Sequence, residues 1–369
     1  MLPGPSDRPD TSPPGPTPYV SVIVTAHDRR EFLRGAVESV LAQDLDPAEF
    51  EVLVVKILPD PETDTWLAGL GPRVRTYTDP ALTRLGQKLA FGIARARGNV
   101  VCFLEDDDRY LPAKLATVAA RFRSDATLRY FRNRNRCIDN DGRPLVGPYS
   151  RVADREMTLT GAARNDLATV DFVRHYGAEG NSSISVGRAV VAPHLERIAR
   201  FNTSADWMLF ISALAGAGTL VVGTQPLSEY RLHDSLSQGA TQTSRQRLGA
   251  EIVRSSEILV AAAIGTRAER AARFLRGRGS VNWYLIDPAA PRPALSRLRD
   301  AAWVAWLRRE PTFAIQIAWC ALRFLAPRAA SNAYWGYHAR DSKRQGWHTV
   351  DPASDGRPVR ASPPGSTPP

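Results

Sequence analysis

Asn99–Leu104 reads NVVCFL and runs directly into four consecutive acids, the EDDD of Glu105–Asp108. The apolar run is typical of a strand that is buried on both faces of a sheet. Four adjacent carboxylates repel one another, so they are stable together mainly when a cation or a basic partner neutralises them. A solvated surface loop is the simpler alternative, but the apolar strand before the acids and the abrupt Arg109–Pro112 after them favour a binding site.

The residues before this acidic strand alternate between strand and helix patterns. Further buried strands are predicted at Tyr19–Thr25, Phe50–Val55 and Val74–Tyr77. Helices are predicted at Arg30–Gln43 and Arg84–Arg97, and Gly98 is expected to end the second one. This order predicts an α/β fold with a largely parallel sheet and helices on both faces, in which ligands bind beyond the carboxyl ends of the strands. The four acids follow such an end.

Composition excludes several classes of protein. The chain has 369 residues, of which 43% are hydrophobic and 23% charged, as in ordinary globular proteins. Its three cysteines are too far apart for a zinc knuckle or a disulfide framework, so a reducing cytosolic setting is expected. The net charge of +10 would attract polyanions such as nucleic acid, anionic lipid or phosphorylated small molecules.

Both ends of the chain are rich in proline. Met1–Pro18 holds seven of the 28 prolines and His348–Pro369 holds six, so both segments are predicted to be disordered tails. The amino terminus lacks the order of charged and apolar residues of a signal peptide. The longest apolar stretch, Thr312–Leu325, is shorter than the roughly 20 residues that span a bilayer. The expected location is therefore cytoplasmic, without a transmembrane helix.

Two blocks of the sequence resemble the family 2 glycosyltransferases. The first comprises Val20–Thr25, His27–Arg29, Glu38–Gln43, Gly92–Gly98 and Phe103–Asp108. The second, Ala205–Trp207 followed by Pro226–Ser237, is similar to the family's "ED" and "pL..YR.H..S" elements. The resemblance implies the GT-A fold over residues 19–240, with one half for a nucleotide-sugar and the other for an acceptor.

The resemblance also implies a metal site at the four acids, which match the family's DXD motif. In that motif Mg²⁺ or Mn²⁺ holds the diphosphate of the donor, and oxygen ligands suit both ions. Asp107 matches the last acid and is the expected main ligand, with Asp108 beside it and His233 as a further ligand. Glu105, which replaces the usual first Asp, and Asp106 are expected to contact the donor nucleotide.

By the same resemblance Asp206 is the general base, which takes the proton of the acceptor hydroxyl as its oxygen attacks the anomeric carbon. A single displacement of this kind inverts that carbon. The structural alternative is that Asp206 is the N-cap of a helix over Trp207–Ala215.

The segment after the first strand is expected to contact the nucleoside through Thr25, Ala26, His27 and Asp28. The small Thr25 and Ala26 leave room for the nucleoside against the backbone, while His27 either stacks on the base or is a surface loop residue. The family's base-contacting Asp after the second strand is absent, and Lys56 stands in this region. Because a lysine cannot accept a base N–H, either the base is recognised differently or the donor is not the common uridine nucleotide.

Two cations are candidates for phosphate contacts. Lys88 either reaches a phosphate or is an ordinary solvated lysine, and Arg231 is a candidate phosphate clamp through its planar guanidinium. His233 is either a ligand or a structural residue. Gly180–Ser183 resembles the small polar loop on the acceptor side of the family, or simply forms a turn.

The C-terminal region, residues 241–347, is predicted to be helical. Helices are expected at Glu251–Ala263, Thr266–Arg276, Pro293–Arg308 and Thr312–Ala326. The last two are apolar nearly all round and carry flanking arginines. Such helices are buried in a core, in a homodimer interface or in the headgroup layer at the cytoplasmic face of a membrane.

The sequence thus predicts an inverting, metal-dependent transfer of a sugar from a nucleotide-sugar to a hydroxyl of a glycan or lipid-linked glycan, as in polysaccharide synthesis for the cell envelope. Three alternatives stay open at this point. They are a nucleotidyltransferase acting on a sugar phosphate, a glycosyltransferase-like binding protein without catalysis, and a nucleic-acid-binding protein. The last is disfavoured because no recognised nucleic-acid motif is present and an acidic cleft repels a phosphate backbone.

Overall fold

A computed structural model describes residues 17–27, 30–146, 155–160, 169, 172, 180–232, 242–308, 311–344 and 348–349. The predicted tails, 1–18 and 348–369, therefore lie outside the described residues except at their inner ends. There, His348–Thr349 forms a short strand that pairs with the sheet, because the edge strand beside it offers unpaired backbone groups.

Eleven strands are described: β1 Val20–Thr25, β2 Phe50–Lys56, β3 Val74–Thr78, β4 Val100–Glu105, β5 Arg109–Tyr110, β6 Leu128–Ile138, β7 Pro144–Val146, β8 Met157–Leu159, β9 Ile184–Gly187, β10 Thr219–Arg231 and β11 His348–Thr349. The helices of the described residues are α1 Arg30–Leu41, α2 Pro61–Ala68, α3 Leu85–Arg95, α4 Lys114–Ser124, α5 Arg188–Val191, α6 Leu195–Ile198, α7 Ala205–Ala215, α8 Gln242–Ala263, α9 Glu269–Ile286, α10 Leu295–Arg308, α11 Pro311–Leu325 and α12 Pro327–Arg344.

The strands form one mixed sheet, in which the first four strands of the chain run parallel to one another. Its order is β11-β7-β6-β9-β4-β1-β2-β3, in which β3, β2, β1 and β4 run parallel and β9 is antiparallel to both β4 and β6. In this register Thr25 lies opposite both Val55 and Glu105. The carboxyl ends of β1, β2 and β4 therefore meet at one edge, as the sequence predicted.

Alternating residues of the central strands enter two separate cores. Ile23 and Phe103 belong to the core on one face, whereas Val22 and Leu104 belong to the core on the other. Helices α3 and α7 cover the first face and α1 and α4 cover the second. The prediction of an α/β sheet with helices on both faces is confirmed, and β1, β2 and β4 are mostly apolar because both of their faces are covered.

The helical C-terminal region is also confirmed, and its first two helices share a core with the sheet. Leu259 of α8 and Leu275 of α9 lie in the same buried cluster as Met208 of α7. A smaller cluster farther along contains Val281 and Tyr334, whose ring packs edge-on against Trp319. No helix in the described part of the chain is long and apolar enough to cross a membrane.

The predicted end of α3 differs from the structure. The helix ends at Arg95, three residues before Gly98. Gly98 instead lies against β1, where its N–H donates to Ser21 Oγ at 2.8 Å. A Cβ at this position would lie 2.7 Å from the Ser21 nitrogen, so glycine is required for close approach and not for a helix end.

Candidate active site

The four acids lie where β4 leaves the sheet. Glu105 is the last residue of the strand, and the three aspartates that follow are buried in a turn. The N–H of Asp106 donates to Thr25 O at 3.2 Å, and that of Asp108 donates to Glu105 O at 3.2 Å. The turn is therefore held by backbone hydrogen bonds to β1 and β4, and its carboxyl groups lie at the carboxyl edge of the sheet. We call Glu105–Asp108 the acidic turn.

Asp108 connects the acidic turn to the end of β10. Its Oδ1 accepts the backbone N–H of Arg231 at 2.9 Å. Burial raises the pKa of Asp108 well above the ordinary 3.8, and the negative charges of Asp107 and Glu105 raise it further. The hydrogen bonds from Ser182 and Arg231 act in the opposite direction without reversing the shift.

This arrangement fits a divalent cation. The neighbouring negative charges that raise the pKa of Asp108 favour a positive ion beside it, and carboxylate oxygens are the ligands that Mg²⁺ and Mn²⁺ prefer. Among the described residues no group of three or more His, Cys, Asp or Glu side chains is arranged to hold a metal. Such ions usually bind through one or two carboxylates plus substrate phosphates, which Asp107 and Asp108 can provide. His233 lies outside the described residues.

Arg231 braces the acidic turn in this structure. It is buried, its Nε donates to Asp107 O at 2.8 Å, and its Nη1 donates to the carbonyls of Asp139 and Asn140 at 2.7 Å. Its guanidinium carbon lies 4.4 Å from the ring centroid of Phe32 in α1. The guanidinium thus binds backbone carbonyls on two segments beside the site predicted for the diphosphate.

Gly180–Ser183 joins the acidic turn to Asp206. Asn181 Nδ2 donates to Glu105 Oε1 at 2.8 Å, and Ser182 Oγ accepts the Glu105 N–H at 3.1 Å. The Gly180 N–H donates to Asp206 Oδ2 at 2.8 Å. Glu105 and Asp206 are therefore held by two consecutive residues of the loop, Asn181 and Gly180. We call Gly180–Ser183 the bridging loop.

Asp206 lies in the first turn of α7. The helix begins at Ala205 and its N-cap is Ser204, in the left-handed region at φ 57°, so the N-cap alternative for Asp206 is wrong. The carboxyl group is 9% exposed, and its Oδ1 accepts the Trp207 N–H at 3.0 Å. A carboxylate at a helix N-terminus is stabilised by the helix dipole, which suits a group that acts as a charged base.

A pocket opens between the ends of β1 and β2. The space between its walls, including the solvent at its open mouth, is about 320 Å³, and it is lined by Ala26, His27, Arg30, Leu33, Lys56, Leu58, Asp60, Thr63 and Asp106. The His27 N–H donates to Asp106 Oδ2 at 2.8 Å, which joins the pocket wall to the acidic turn. The predicted nucleoside contacts Ala26, His27 and Asp106 therefore line one space. Thr25 lies just beneath it at the end of β1, and Asp28 lies outside the described residues.

Two lysines near this pocket are buried and bonded to the protein. Lys88 Nζ donates to Ala26 O at 3.0 Å, so the alternative of a solvated lysine is wrong. Lys56 Nζ donates to Leu58 O at 2.9 Å and pairs with Asp64. Both lysines are buried because their ammonium groups replace water with carbonyl or carboxylate oxygens.

Sequence reasoning missed two residues near the site. Asp60 follows β2 within a Pro-Asp-Pro sequence and lines the pocket, where it accepts the Thr63 hydroxyl at 2.7 Å. Lys114 is fully buried at the start of α4 and reaches the bridging loop. The prolines on either side of Asp60 indicate that a helix begins there, so this residue could have been found from the sequence. No local pattern in the sequence indicates that Lys114 is buried.

Comparisons with known proteins extend the observations on the site. Residues 21–166 match the family model described as "Glycosyl transferase family 2". A curated Rickettsia felis protein, named an uncharacterized glycosyltransferase, is 29% identical over 98 residues, which make up 27% of this chain and 16% of the relative. The chain therefore matches only a small part of that relative's length.

Solved structures show the fold. Residues 1–349 of S. aureus TarS, crystallised with UDP-GlcNAc, have a TM-score of 0.50 at 13% identity, over 79% of this chain and 92% of that one. The longer S. aureus TarS structure has a TM-score of 0.47 at 14% identity and is covered over 49% of its length, against 73% of this chain. Residues 21–166 are similar to glycosyl transferase family 2, and the chain has the GT-A fold.

Proposed function

We propose that the protein transfers a sugar, with inversion, from a nucleotide-sugar to a hydroxyl group of a glycan or lipid-linked glycan. The observation that carries this proposal is the bridging loop, in which the consecutive residues Gly180 and Asn181 hold Asp206 and the acidic turn, respectively. Two acidic groups with separate environments, next to an open pocket, are what a donor site and a base for the acceptor require.

Asp206 is the proposed general base. Its carboxylate takes the proton from the acceptor hydroxyl as that oxygen forms a bond to the anomeric carbon and the bond to the nucleoside diphosphate breaks. The Gly180 N–H fixes the orientation of the carboxylate through Oδ2. Asp107 and Asp108 would hold Mg²⁺ or Mn²⁺, which when bound neutralises charge on the departing diphosphate.

The pocket is the proposed nucleoside site, and Asp60 is the proposed acceptor for a base N–H. Lys56 is engaged by Asp64 and the Leu58 carbonyl, whereas the Asp60 carboxylate lies on the pocket wall. Uracil, thymine and guanine carry a ring N–H that a carboxylate can accept, whereas the matching ring nitrogens of adenine and cytosine are acceptors. The donor is therefore expected to be a uridine, thymidine or guanosine nucleotide.

The remaining donor contacts follow from positions around the pocket. Ala26, His27 and Asp106 line the pocket, and we expect Thr25 and Glu105, which lie next to them in the chain, to contact the donor as well. A phosphate contact by Lys88 or Arg231 would be made beside the backbone carbonyl that each cation holds in this structure.

A panel of nucleotide-sugars, each with Mn²⁺ or Mg²⁺, tests this function by the nucleoside diphosphate released. The expected result is release of the nucleoside diphosphate from a uridine, thymidine or guanosine donor, and a chelator should abolish this release. Release of pyrophosphate from a nucleoside triphosphate and a sugar phosphate would indicate nucleotidyl transfer instead. If no donor is consumed and no nucleoside diphosphate shifts the Tm, the enzymatic function is wrong.

We propose further that the protein contacts the cytoplasmic face of an anionic membrane. Leu322, Phe324 and Leu325 are exposed at the end of α11, and the Arg292 guanidinium carbon lies 4.3 Å from the Phe324 ring centroid. An apolar helix end with a cation beside it suits a headgroup layer. Flotation with anionic vesicles is the expected result at low salt. A protein that stays unbound but forms a dimer by light scattering would assign this surface to a second copy.

A further inference from the structure

Lys114 lies closer to the proposed reaction centre than its position in α4 indicates. It is 0% exposed, and its Nζ donates to Asn133 Oδ1 at 2.7 Å and to Ser182 O at 2.9 Å. The ammonium also lies 4.4 Å from the ring centroid of Tyr110, which serves as a third, weaker partner. A buried amino group with these partners joins α4, β5, β6 and the bridging loop.

The partner on β6 is itself firmly held. Asn133 Nδ2 donates to Ser228 Oγ at 2.7 Å and to Arg134 O at 2.7 Å. The Ser228 hydroxyl in turn donates to Asn135 Oδ1 at 2.8 Å. Asn133 therefore has a fixed position set by two paired strands, β6 and β10, and Lys114 transmits that position to Ser182.

The bridging loop has no regular strand of its own to hold it in this position. Gly180, whose N–H orients Asp206, immediately precedes the 3-10 turn Asn181–Ser183. Ser182, within that turn, accepts the Glu105 N–H through its hydroxyl. A shift of the Ser182 carbonyl would move both groups. The contact from Lys114 thus acts on the donor side and the acceptor side together.

We propose that Lys114 is a positioning residue of the transfer reaction, which holds the bridging loop against β6 and thereby sets the distance between Asp206 and the acidic turn. This inference rests on the proposed glycosyl transfer and adds a residue to it that touches neither substrate. Lys114 acts through Ser182, and its own atoms take no part in the chemistry.

The anchor does not depend on the charge of Lys114. Burial lowers the pKa of Lys114 to about 7, with Arg132 of β6 acting in the same direction and Cys102 of β4 and Asp108 of the acidic turn opposing it. A neutral amine still has two N–H groups, enough for both Asn133 Oδ1 and Ser182 O. Removing the nitrogen, in contrast, leaves two buried acceptors without this donor.

The test compares Lys114→Met, Lys114→Gln and a control, Glu51→Gln, in the full chain. Met keeps the apolar stem and removes every donor, whereas Gln restores a neutral donor one bond shorter. Glu51 lies in another buried polar network, near the amino end of β2, and touches no residue of the bridging loop. The measurements are kcat with the most active nucleotide-sugar of the panel, Kd of the nucleoside diphosphate with Mn²⁺, and Tm.

For Lys114→Met we expect kcat to fall about tenfold or more, the scale of a small misplacement of reacting groups, while Kd changes by less than about threefold. Lys114→Gln should recover part of kcat, and Glu51→Gln should lower Tm with kcat unchanged. The inference is wrong if Lys114→Met keeps full kcat, if only Kd changes, if kcat follows Tm alike in all three variants, or if neither Lys114 variant folds. A wild-type protein that consumes no nucleotide-sugar would refute the proposed function itself, and this inference with it.

Discussion

Two buried carboxyl groups lie near opposite ends of the same parallel strands. Glu51 is the second residue of β2, and Asp108 follows the end of β4. They are 1% and 2% exposed, so both lose nearly all of their contact with water. The pKa of Glu51 is nevertheless lowered, whereas the pKa of Asp108 is raised well above its ordinary value.

The difference lies in their partners. Burial acts to raise the pKa of Glu51, but the Arg97 N–H, the Ser21 hydroxyl and the charges of Arg75 and Arg97 together lower it. Asp108 has two hydrogen-bond partners and two acidic neighbours instead. The fold neutralises the Glu51 carboxylate near the amino ends of the strands. At the carboxyl ends it leaves Asp108 beside two other acidic groups, Asp107 and Glu105. Uncompensated charge at the edge where ligands bind indicates function, and compensated charge indicates stability.

The largest expected effect is at the acidic turn. In Asp107→Ala we expect the rate of nucleoside diphosphate release to fall about a thousandfold or more, since a bound metal contributes several kcal/mol to such reactions. The rise in Tm with nucleoside diphosphate and Mn²⁺ should also disappear. Glu62→Ala removes an exposed acid of α2 and is the matched control, with activity unchanged. A metal-dependent shift that survives in Asp107→Ala would remove Asp107 from the metal site.

Asp206→Asn should come next, with kcat lowered about a hundredfold or more, the scale of a lost general base. Asparagine can still accept the Gly180 N–H, so the bridging loop should keep its position. Calorimetry with the nucleoside diphosphate and Mn²⁺ should therefore give an unchanged Kd. Full activity in this variant would contradict the assignment of the base.

Glu51→Gln tests whether the compensated carboxylate near the amino end of β2 stabilises the fold. The change leaves Arg75 and Arg97 without their countercharge, and we expect the free energy of unfolding in urea to fall by about 2 kcal/mol. Because the pKa of Glu51 is lowered on folding, its contribution is present above the ordinary value of 4.5 and is lost as the pH falls through the folded value. The difference between wild type and variant should therefore narrow in acid. If the difference in the free energy of unfolding between wild type and variant does not change with pH, the charge of Glu51 does not contribute to stability.

The smallest expected effect is an increase in stability when Asp108 is replaced. Because the pKa of Asp108 is raised on folding, its contribution is present below the ordinary 3.8 and is lost as the pH rises through the folded value. In a chelator at neutral pH, Asp108→Asn should therefore raise Tm by a few degrees. Added Mn²⁺ with nucleoside diphosphate should stabilise wild type more than the variant. A lower Tm in the chelator would show that Asp108 stabilises the fold.

Much of the donor half was predictable from the sequence because local pattern and tertiary role agree there. The strands β1, β2 and β4 are mostly apolar runs, which is typical of strands that are covered on both faces. The four acids stood out because an apolar strand ends in them. Helix α8 was predicted to begin at Glu251 but begins at Gln242, since its first turns are too polar to show a clear apolar face.

The acceptor side was less predictable. Strand β6 contains four arginines and two asparagines in eleven residues, because part of it is the polar support of the site and no apolar alternation remains. Strand β10 contains Pro226, where its pairing with β6 shifts register. The role of Lys114 depends on β6 and the bridging loop, both distant in sequence. Pairings of this kind are set by tertiary contacts that a single sequence does not encode locally.

Helix α7 carries Asp206 in its first turn and shares a core cluster with Leu259 and Leu275 of the C-terminal helices. A chain ending at residue 240 would expose the Met208 side of this helix to water. Because residues before and after position 240 share this core, we expect the folding unit to extend beyond the boundary at 240. The sheet and helices α8 and α9 should therefore unfold in a single thermal transition. A chimera that takes its C-terminal region from a related protein would have to keep the surface by which that region packs against α7.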